Sequence, residues 1–435
     1  MDRRICVICI EGLGPGLASR QPELWLGGLA GGVRSLRPTF PAVAPSIQAS
    51  MTTGVAPGVH GIISGGLYRR QKRELSFRER SNTLLNKKRF WHSRRLPRRL
   101  TAAMVFWPHA LAGAAEVVVG SSTYAACEEV AAQPTGLCEQ LRAELGPPDE
   151  SLWRGPRASW RGAKWIAAAA EWVWRNCPCD LHWVNLPGLE PELVRHGPDS
   201  PQAAEAVRGL DALAAKLAEA VAADGGETII VSSGALRPVE RAALPNARLV
   251  EAGLLALADT PLGPLPDLAR SRAWAMVDHQ VAQLYCDGES SADAAAEALG
   301  DLPGVAAVVT RDELFEPGLG HDRAGERVVL AEPDAWLALP WWGEAGDAPL
   351  LGEGLGAHFG FDPCDMLRPL PGRQCEPHRV RASQGLADPP AEHQCLLAAT
   401  CDLPEPPTGC ITDLPELVKS LLGLRNAECG MRITD

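Results

Sequence analysis

Several short stretches of the chain are apolar without alternation, and each is closed by a turn signal. Residues 5–10 (Ile-Cys-Val-Ile-Cys-Ile) run into the glycine-rich turn Glu11–Gly16 and read as a strand buried on both faces of a parallel sheet. Leu181–Leu186, closed by Pro187, and Thr228–Val231, preceded by Gly225-Gly226, read the same way. Between these two lies the clearest helix, 201–223, in which Val207, Leu210, Leu213, Leu217 and Val221 recur at intervals of three and four. Asp199 and Ser200 stand before Pro201 as capping candidates. A second helix is expected over 164–176, stopped by Pro178, and a short one over 46–53, ended by Gly54. Strand, helix, strand in this order argues for a parallel sheet with helices on its faces.

Further along, residues 272–340 read as a smaller α/β unit, with a strand over Val281–Cys286, a helix over 291–299 and a strand over Val305–Val309. Residues 345–410 are rich in Pro, Gly and Cys and read as irregular. The chain closes on an amphipathic helix over 412–422, with Thr412 or Asp413 as cap and Gly423 as stop.

Composition narrows the class. With 435 residues, 46% of them hydrophobic, the chain can fill a large core and one inserted subdomain. Its net charge of −11 opposes general binding to nucleic acid or to an anionic membrane. Ile5–Ile10 is too short for a membrane span or a secretory core and ends in Glu11. The 13 cysteines are odd in number and fall at no regular interval, which fits a large reduced protein, and a cytoplasmic location is expected. Cys177-Pro178-Cys179 has no second pair at zinc-site spacing. The turn Glu11–Gly16 does not fit a dinucleotide fingerprint, because the third glycine falls at Leu17 and Pro15 removes a backbone donor. One local feature runs against the acidic whole. Residues 69–99 carry Arg69, Arg70, Lys72, Arg73, Arg78, Arg80, Lys87, Lys88, Arg89, Arg94, Arg95, Arg98 and Arg99, either as a solvated face or as an anion-attracting rim.

Three ordered stretches carry a family resemblance. They are the strand-turn Ile5–Gly16, the segment Arg37-Pro38-Thr39-Phe40-Pro41-Ala42-Val43 running into Thr53-Gly54-Val55-Ala56-Pro57-Gly58-Val59-His60-Gly61-Ile62, and Leu186-Pro187-Gly188-Leu189-Glu190 with His196-Gly197-Pro198-Asp199. Asp278-His279-Gln280, His321–Glu326 and Phe361-Asp362-Pro363-Cys364 add to them. Together they resemble the alkaline-phosphatase-like superfamily, and within it the bacterial type I phosphodiesterase/nucleotide pyrophosphatase group. The resemblance implies an α/β core with a mostly parallel central sheet flanked by helices, built from 1–270 and 341–435, and a small α/β cap at 271–340. It also implies metal-assisted phosphoester hydrolysis, in which a Thr or Ser attacks phosphorus beside two cations about 4 Å apart.

Carried over position by position, the family's site is largely replaced. The first metal Asp falls on Glu11 and the nucleophile on Ala44, which has no reactive atom; Ser46 is the nearby substitute. The next metal Asp falls on Glu190, its following His on Val194, the Asp-His pair on Ser233-Gly234 and the last ligand on Gln384. His196 and His358 stand near these positions out of register. A divalent cation (Zn, Mn or Mg) is the implied cofactor. Ser and Gln are weak ligands for zinc-like ions, and two Glu residues could hold one hard cation with water.

Three functions compete. The first is a phosphodiesterase with weakened hydrolysis that uses Glu11, Glu190 and a cation on a small anionic phosphoester. The second is a non-catalytic descendant that binds a ligand or a pathway partner. The third is an isomerase or transferase acting on phosphorylated small molecules.

Overall fold

The structure is a computed structural model and describes residues 3–76, 81–124, 127–153, 155–261, 263–314, 320–342, 367 and 377–424. An eight-stranded sheet forms its centre, in the order Ala30–Leu36, Cys395–Ala399, Glu227–Val231, Ile5–Ile10, Leu181–Leu186, Ala102–Val105, Val117–Tyr124, Cys127–Gln133. Ile5–Ile10 pairs in parallel with Leu181–Leu186 on one edge and Glu227–Val231 on the other. Ala102–Val105 and Val117–Tyr124 continue in the same direction, and only Cys395–Ala399 and Cys127–Gln133 run against the rest.

The alternation of side chains along a strand divides the interior in two. Cys6, Ile8 and Ile10 face the core formed with the helices Ala163–Asn176, Leu189–His196 and Pro201–Ala223. Ile5, Val7 and Cys9 face the core formed with the helices Ala44–Thr53 and Leu414–Leu421 and with Phe90, Trp91 and Trp183. Both faces of the central strand are covered, which is why its sequence shows no polar alternation. The helix Pro201–Ala223 begins where expected, and Ser200 Oγ accepts the N–H of Ala203 at 3.1 Å as a true cap.

At the far end of the chain the helix is Leu414–Leu421, with Asp413 at the N-cap position as expected but without a side-chain capping hydrogen bond. The Asp413 carboxylate instead accepts from the N–H of Thr408 at 2.7 Å and from its hydroxyl at 3.0 Å. Cys395–Ala399, inside the stretch read as irregular, is a central-sheet strand; His358 and residues 361–364 lie outside the described residues.

A second, four-stranded antiparallel sheet is formed by Ala273–Asp278, Val281–Cys286, Arg327–Ala331 and Val305–Thr310, in that order, with the helix Glu289–Gly300 packed on it. The first two strands make a hairpin through His279 and Gln280. The strand Ala273–Asp278 is buried along its whole length and paired in register to Val281–Cys286.

The basic stretch does not form one face. Arg70 pairs with Glu326 at 2.7 Å beside the smaller sheet, whereas Arg98 pairs with Asp180 at 2.7 Å at the amino end of the central sheet. Lys87, Lys88, Arg94, Arg95 and Arg99 are exposed, and Arg78 and Arg80 lie outside the described residues. Arg89 is only 2% exposed. It donates to Thr52 Oγ1, to the His109 carbonyl at 2.7 Å and to Asn82 Oδ1 at 3.2 Å, and burial pushes its pKa down to about 9.

Two histidines are buried in neutral form. His60 Nδ1 accepts the N–H of Ile62 at 3.1 Å, so the proton sits on Nε2 and is donated to Ser50 Oγ at 2.9 Å; Ser50 in turn lies 3.1 Å from Thr39 Oγ1. These bonds tie the His-Gly signature to the helix Ala44–Thr53. His182 lies on the central strand pair against Trp174. Burial pushes both imidazoles down to about 3, reinforced by Arg89 beside His60 and by Arg4 beside His182.

Below the ordinary histidine pKa the unfolded chain therefore binds protons that the folded chain refuses. This contribution costs nothing above about pH 6.5 and is progressively unfavourable as the pH falls toward 3. Denaturant midpoints measured from about pH 7 to about pH 4 should fall, and His182→Gln should flatten the fall. An identical pH dependence in the variant would contradict the assignment.

Candidate functional site

The parallel strands deliver their following loops to one end of the sheet, where ligands bind in open α/β folds. Glu11 follows Ile5–Ile10, Glu190 opens the helix after Leu181–Leu186, and Ser233 follows Glu227–Val231. Ala44 is the first residue of the helix Ala44–Thr53, and Gln384 follows the short strand Ala382–Ser383. Independent contacts draw these loops together. Gly12 bridges to Ala235, and Ala42 bridges to Gly385. A Cβ built on Gly12 would stand 3.9 Å from the Glu190 nitrogen, and one built on Gly234 would stand 3.2 Å from Ile47 Cδ1 and 3.9 Å from Gln384 Oε1. Both glycines have positive φ, +86° and +91°, so the close approach and the backbone turn both require glycine there.

A hydrogen-bonded relay occupies the floor. Asn185 Nδ2 donates to Glu11 Oε2 at 3.2 Å, and Gln48 Nε2 donates to Asn185 Oδ1 at 2.8 Å. A carboxylate only accepts, so Glu11 fixes the orientation of both amides. Gln48 also reaches Cys9 Sγ at 3.6 Å, and Ser233 lies beside the same thiol. Burial, with the Glu11 carboxylate nearby, pushes the Cys9 thiol far above its ordinary range, so it is no nucleophile.

The smaller sheet contributes its hairpin turn. His279, 2% exposed and at φ +62°, places Nε2 3.3 Å from Glu190 Oε1 and Nδ1 3.2 Å from Ser383 Oγ. Gln384 Nε2 is 3.3 Å from the same Nε2. Burial opposes the imidazolium, but Glu190, with Asp278 and Glu11, outweighs it and holds the ring above its ordinary pKa. Asp278, the preceding residue, accepts from Ser64 Oγ at 2.8 Å and from the Gly65 N–H at 2.7 Å and thereby seats the turn. Burial pushes its carboxyl up.

The remaining positions fall as follows. Ser46 is fully buried and its hydroxyl has no hydrogen-bond partner among the described residues. Val194 is fully buried in the core, and the exposed His196 lies 3.8 Å from Glu192. Cys177 and Cys179 are free thiols, both pushed up by burial. Asn185 and His279 were not among the sequence candidates. A polar Asn inside an apolar strand, and a polar triplet between two apolar strands, were the available signals.

The donors do not fit a pair of zinc-like ions. Such ions need several carboxylates and imidazoles from converging loops. Here one carboxylate is satisfied by an amide, the other faces an imidazole, and the rest are Ala, Ser, Gly and Gln. Among the described residues no group of three or more His, Cys, Asp or Glu is arranged to hold a metal ion.

Comparison with known proteins identifies the family. Residues 5–360 match the model of the type I phosphodiesterase/nucleotide pyrophosphatase family. No curated protein sequence matches the chain. Solved structures share the fold. Murine ectonucleotide pyrophosphatase/phosphodiesterase 5 is 14% identical, with a TM-score of 0.62 over 98% of this chain and 96% of that one. Phosphonoacetate hydrolase from Sinorhizobium meliloti, in complex with phosphonoformate, is 15% identical, with a TM-score of 0.64 over 97% and 96%. An inactive threonine-to-alanine variant of the murine protein, in complex with AMP, is 14% identical, with a TM-score of 0.63 over 98% and 96%. The mostly parallel central sheet, the ordered motifs and the match over most of the chain agree, and the protein belongs to the type I phosphodiesterase/nucleotide pyrophosphatase family.

Proposed function

We propose that this chain is a family member that has lost metal-assisted phosphoester hydrolysis and keeps the cleft as a binding site for a small phosphoester. Ala44 carries the reading. It is the first residue of the helix Ala44–Thr53, two residues after the bridge of Ala42 to Gly385, and has no atom that can attack phosphorus. No neighbour replaces it. The Ser46 hydroxyl has no base to take its proton, and the Cys9 thiol is held protonated. The inactive murine variant was captured with AMP, so in that protein a threonine-to-alanine change is compatible with nucleotide binding.

On this reading Glu11, Glu190, Ser233 and Gln384 occupy the family's metal positions but serve as a hydrogen-bonded frame. Residues 271–340 act as a cap whose turn, through His279, closes one side of the cleft. The free cysteines support a reducing, cytoplasmic setting, and no helix among the described residues is long and apolar enough to cross a membrane.

Elemental mass spectrometry after exposure to zinc, manganese and magnesium and removal of free ions should find no stoichiometric zinc or manganese. Two tightly held ions per chain, with hydrolysis of a phosphodiester that Glu11→Gln abolishes, would instead establish a hydrolase with relocated chemistry.

The frame is also expected to contribute stability and not rate. Asn185→Leu removes the amide donor to Glu11 and the amide acceptor for Gln48 and should destabilise the fold by about 1–3 kcal/mol in chemical unfolding. A variant as stable as the parent would show that the relay is dispensable.

A further inference from the structure

A second polar cavity lies away from the cleft, between the hairpin Leu67–Arg69/Glu74–Ser76 and the smaller sheet. It sits where Ala273 and Trp274 pair with Cys286 and Tyr285, at the end of that hairpin opposite the His279 turn. Trp274 and His279 are five residue steps apart along the strand, roughly 17 Å at the usual rise. The cavity measures about 180 Å³. A single water needs on the order of 10–15 Å³ of such space, so the cavity takes a considerably larger group.

Its wall is cationic and rich in donors. Arg70, Arg73 and Arg272 line it, with Asp287 the one acidic residue on the same wall. Arg70 is committed through all three nitrogens, to the Asp322 and Ala324 carbonyls and to Glu326, and lies over the Tyr285 ring. Arg73 is partly committed: it donates to the Ala269 carbonyl at 2.7 Å and only loosely faces Asp287, at 3.8 Å. Arg272 spends its Nε on Ser291 Oγ at 3.3 Å and has no salt-bridge partner among the described residues. Trp274, 2% exposed, is a lining residue of the cavity. The Tyr68 and Tyr285 rings, 4.5 Å apart, complete the wall. Burial pushes the Tyr68 phenol up despite Arg73 and Arg70, so it keeps its proton at neutral pH and can donate. Donors exceed acceptors, and guanidinium groups match the geometry of a tetrahedral oxyanion.

We propose that this cavity is a binding site for a small phosphate-type oxyanion, separate from the cleft, held by Arg272 and Arg73. The anion would bridge the hairpin to the smaller sheet and take over the charge that Asp287 meets only at a distance.

The test is calorimetric titration of the full chain with inorganic phosphate, against sodium chloride at matched ionic strength. A site that chloride does not fill, and that persists in Glu190→Gln, is expected. Arg272→Ala, an exposed position that should not disturb folding, should weaken it at least about tenfold, the loss of a charge-assisted contact. Arg272→Lys should recover part of the affinity, because the charge remains. Glu190→Gln in the cleft should leave it unchanged. Absence of phosphate binding, equal affinity in Arg272→Ala and the parent, or loss of binding only in Glu190→Gln would overturn the proposal; the last would place the phosphate in the cleft.

Discussion

The arrangement depends on one buried strand. Ile5–Ile10 is hydrogen-bonded in parallel along both edges, and all six of its residues are buried. A backbone desolvated in this way must find all its hydrogen bonds within the sheet, so its register against Leu181–Leu186 and Glu227–Val231 is fixed. The three strands therefore end level, and Glu11, Glu190 and Ser233 emerge side by side. Helices cover one face of the sheet, and the Phe90–Trp91–Trp183 cluster with the helices Ala44–Thr53 and Leu414–Leu421 covers the other.

What occupies that end is governed by the cost of buried charge. A carboxylate removed from water must be paired or hydrogen-bonded. In a two-metal site the cations meet that demand. Here Asn185 does so for Glu11 and His279 for Glu190. Ala44, Ser233 and Gln384 add no further charge at this end of the sheet, and the two carboxylates Glu11 and Glu190 have partners from the protein. The strained φ of His279 belongs to the same arrangement, since it lets a two-residue turn of the smaller sheet reach the cleft.

The basic stretch shows how tertiary structure divides a sequence feature. Arg70 and Arg73 turn toward the smaller sheet, Arg89 is buried among neutral oxygens, and Arg98 secures the strand start at Asp180. Arg89 is tolerated inside because the His109 carbonyl, Thr52 and Asn82 each accept from its planar fork. A charge run read along the chain as one surface serves at least three separate places in the fold.

The sequence by itself determined the central strands, the long capped helix and the order of the family motifs, because each is written in local signals: unbroken apolar runs, three-four spacing, a Ser-Pro start. It also set the expectation that the family's nucleophile position falls on Ala44, counted from the Phe-Pro turn. The strand Cys395–Ala399, the hairpin through Ala273–Asp278, the Asn185 relay and the approach of His279 to Glu190 were decided only by tertiary structure. Their partners lie far away in the chain: Gln48 and Asn185 are 137 positions apart, and His279 and Ser383 are 104. A hydrogen bond of that kind leaves no periodicity behind, and only the folded sheet brings its two ends within reach.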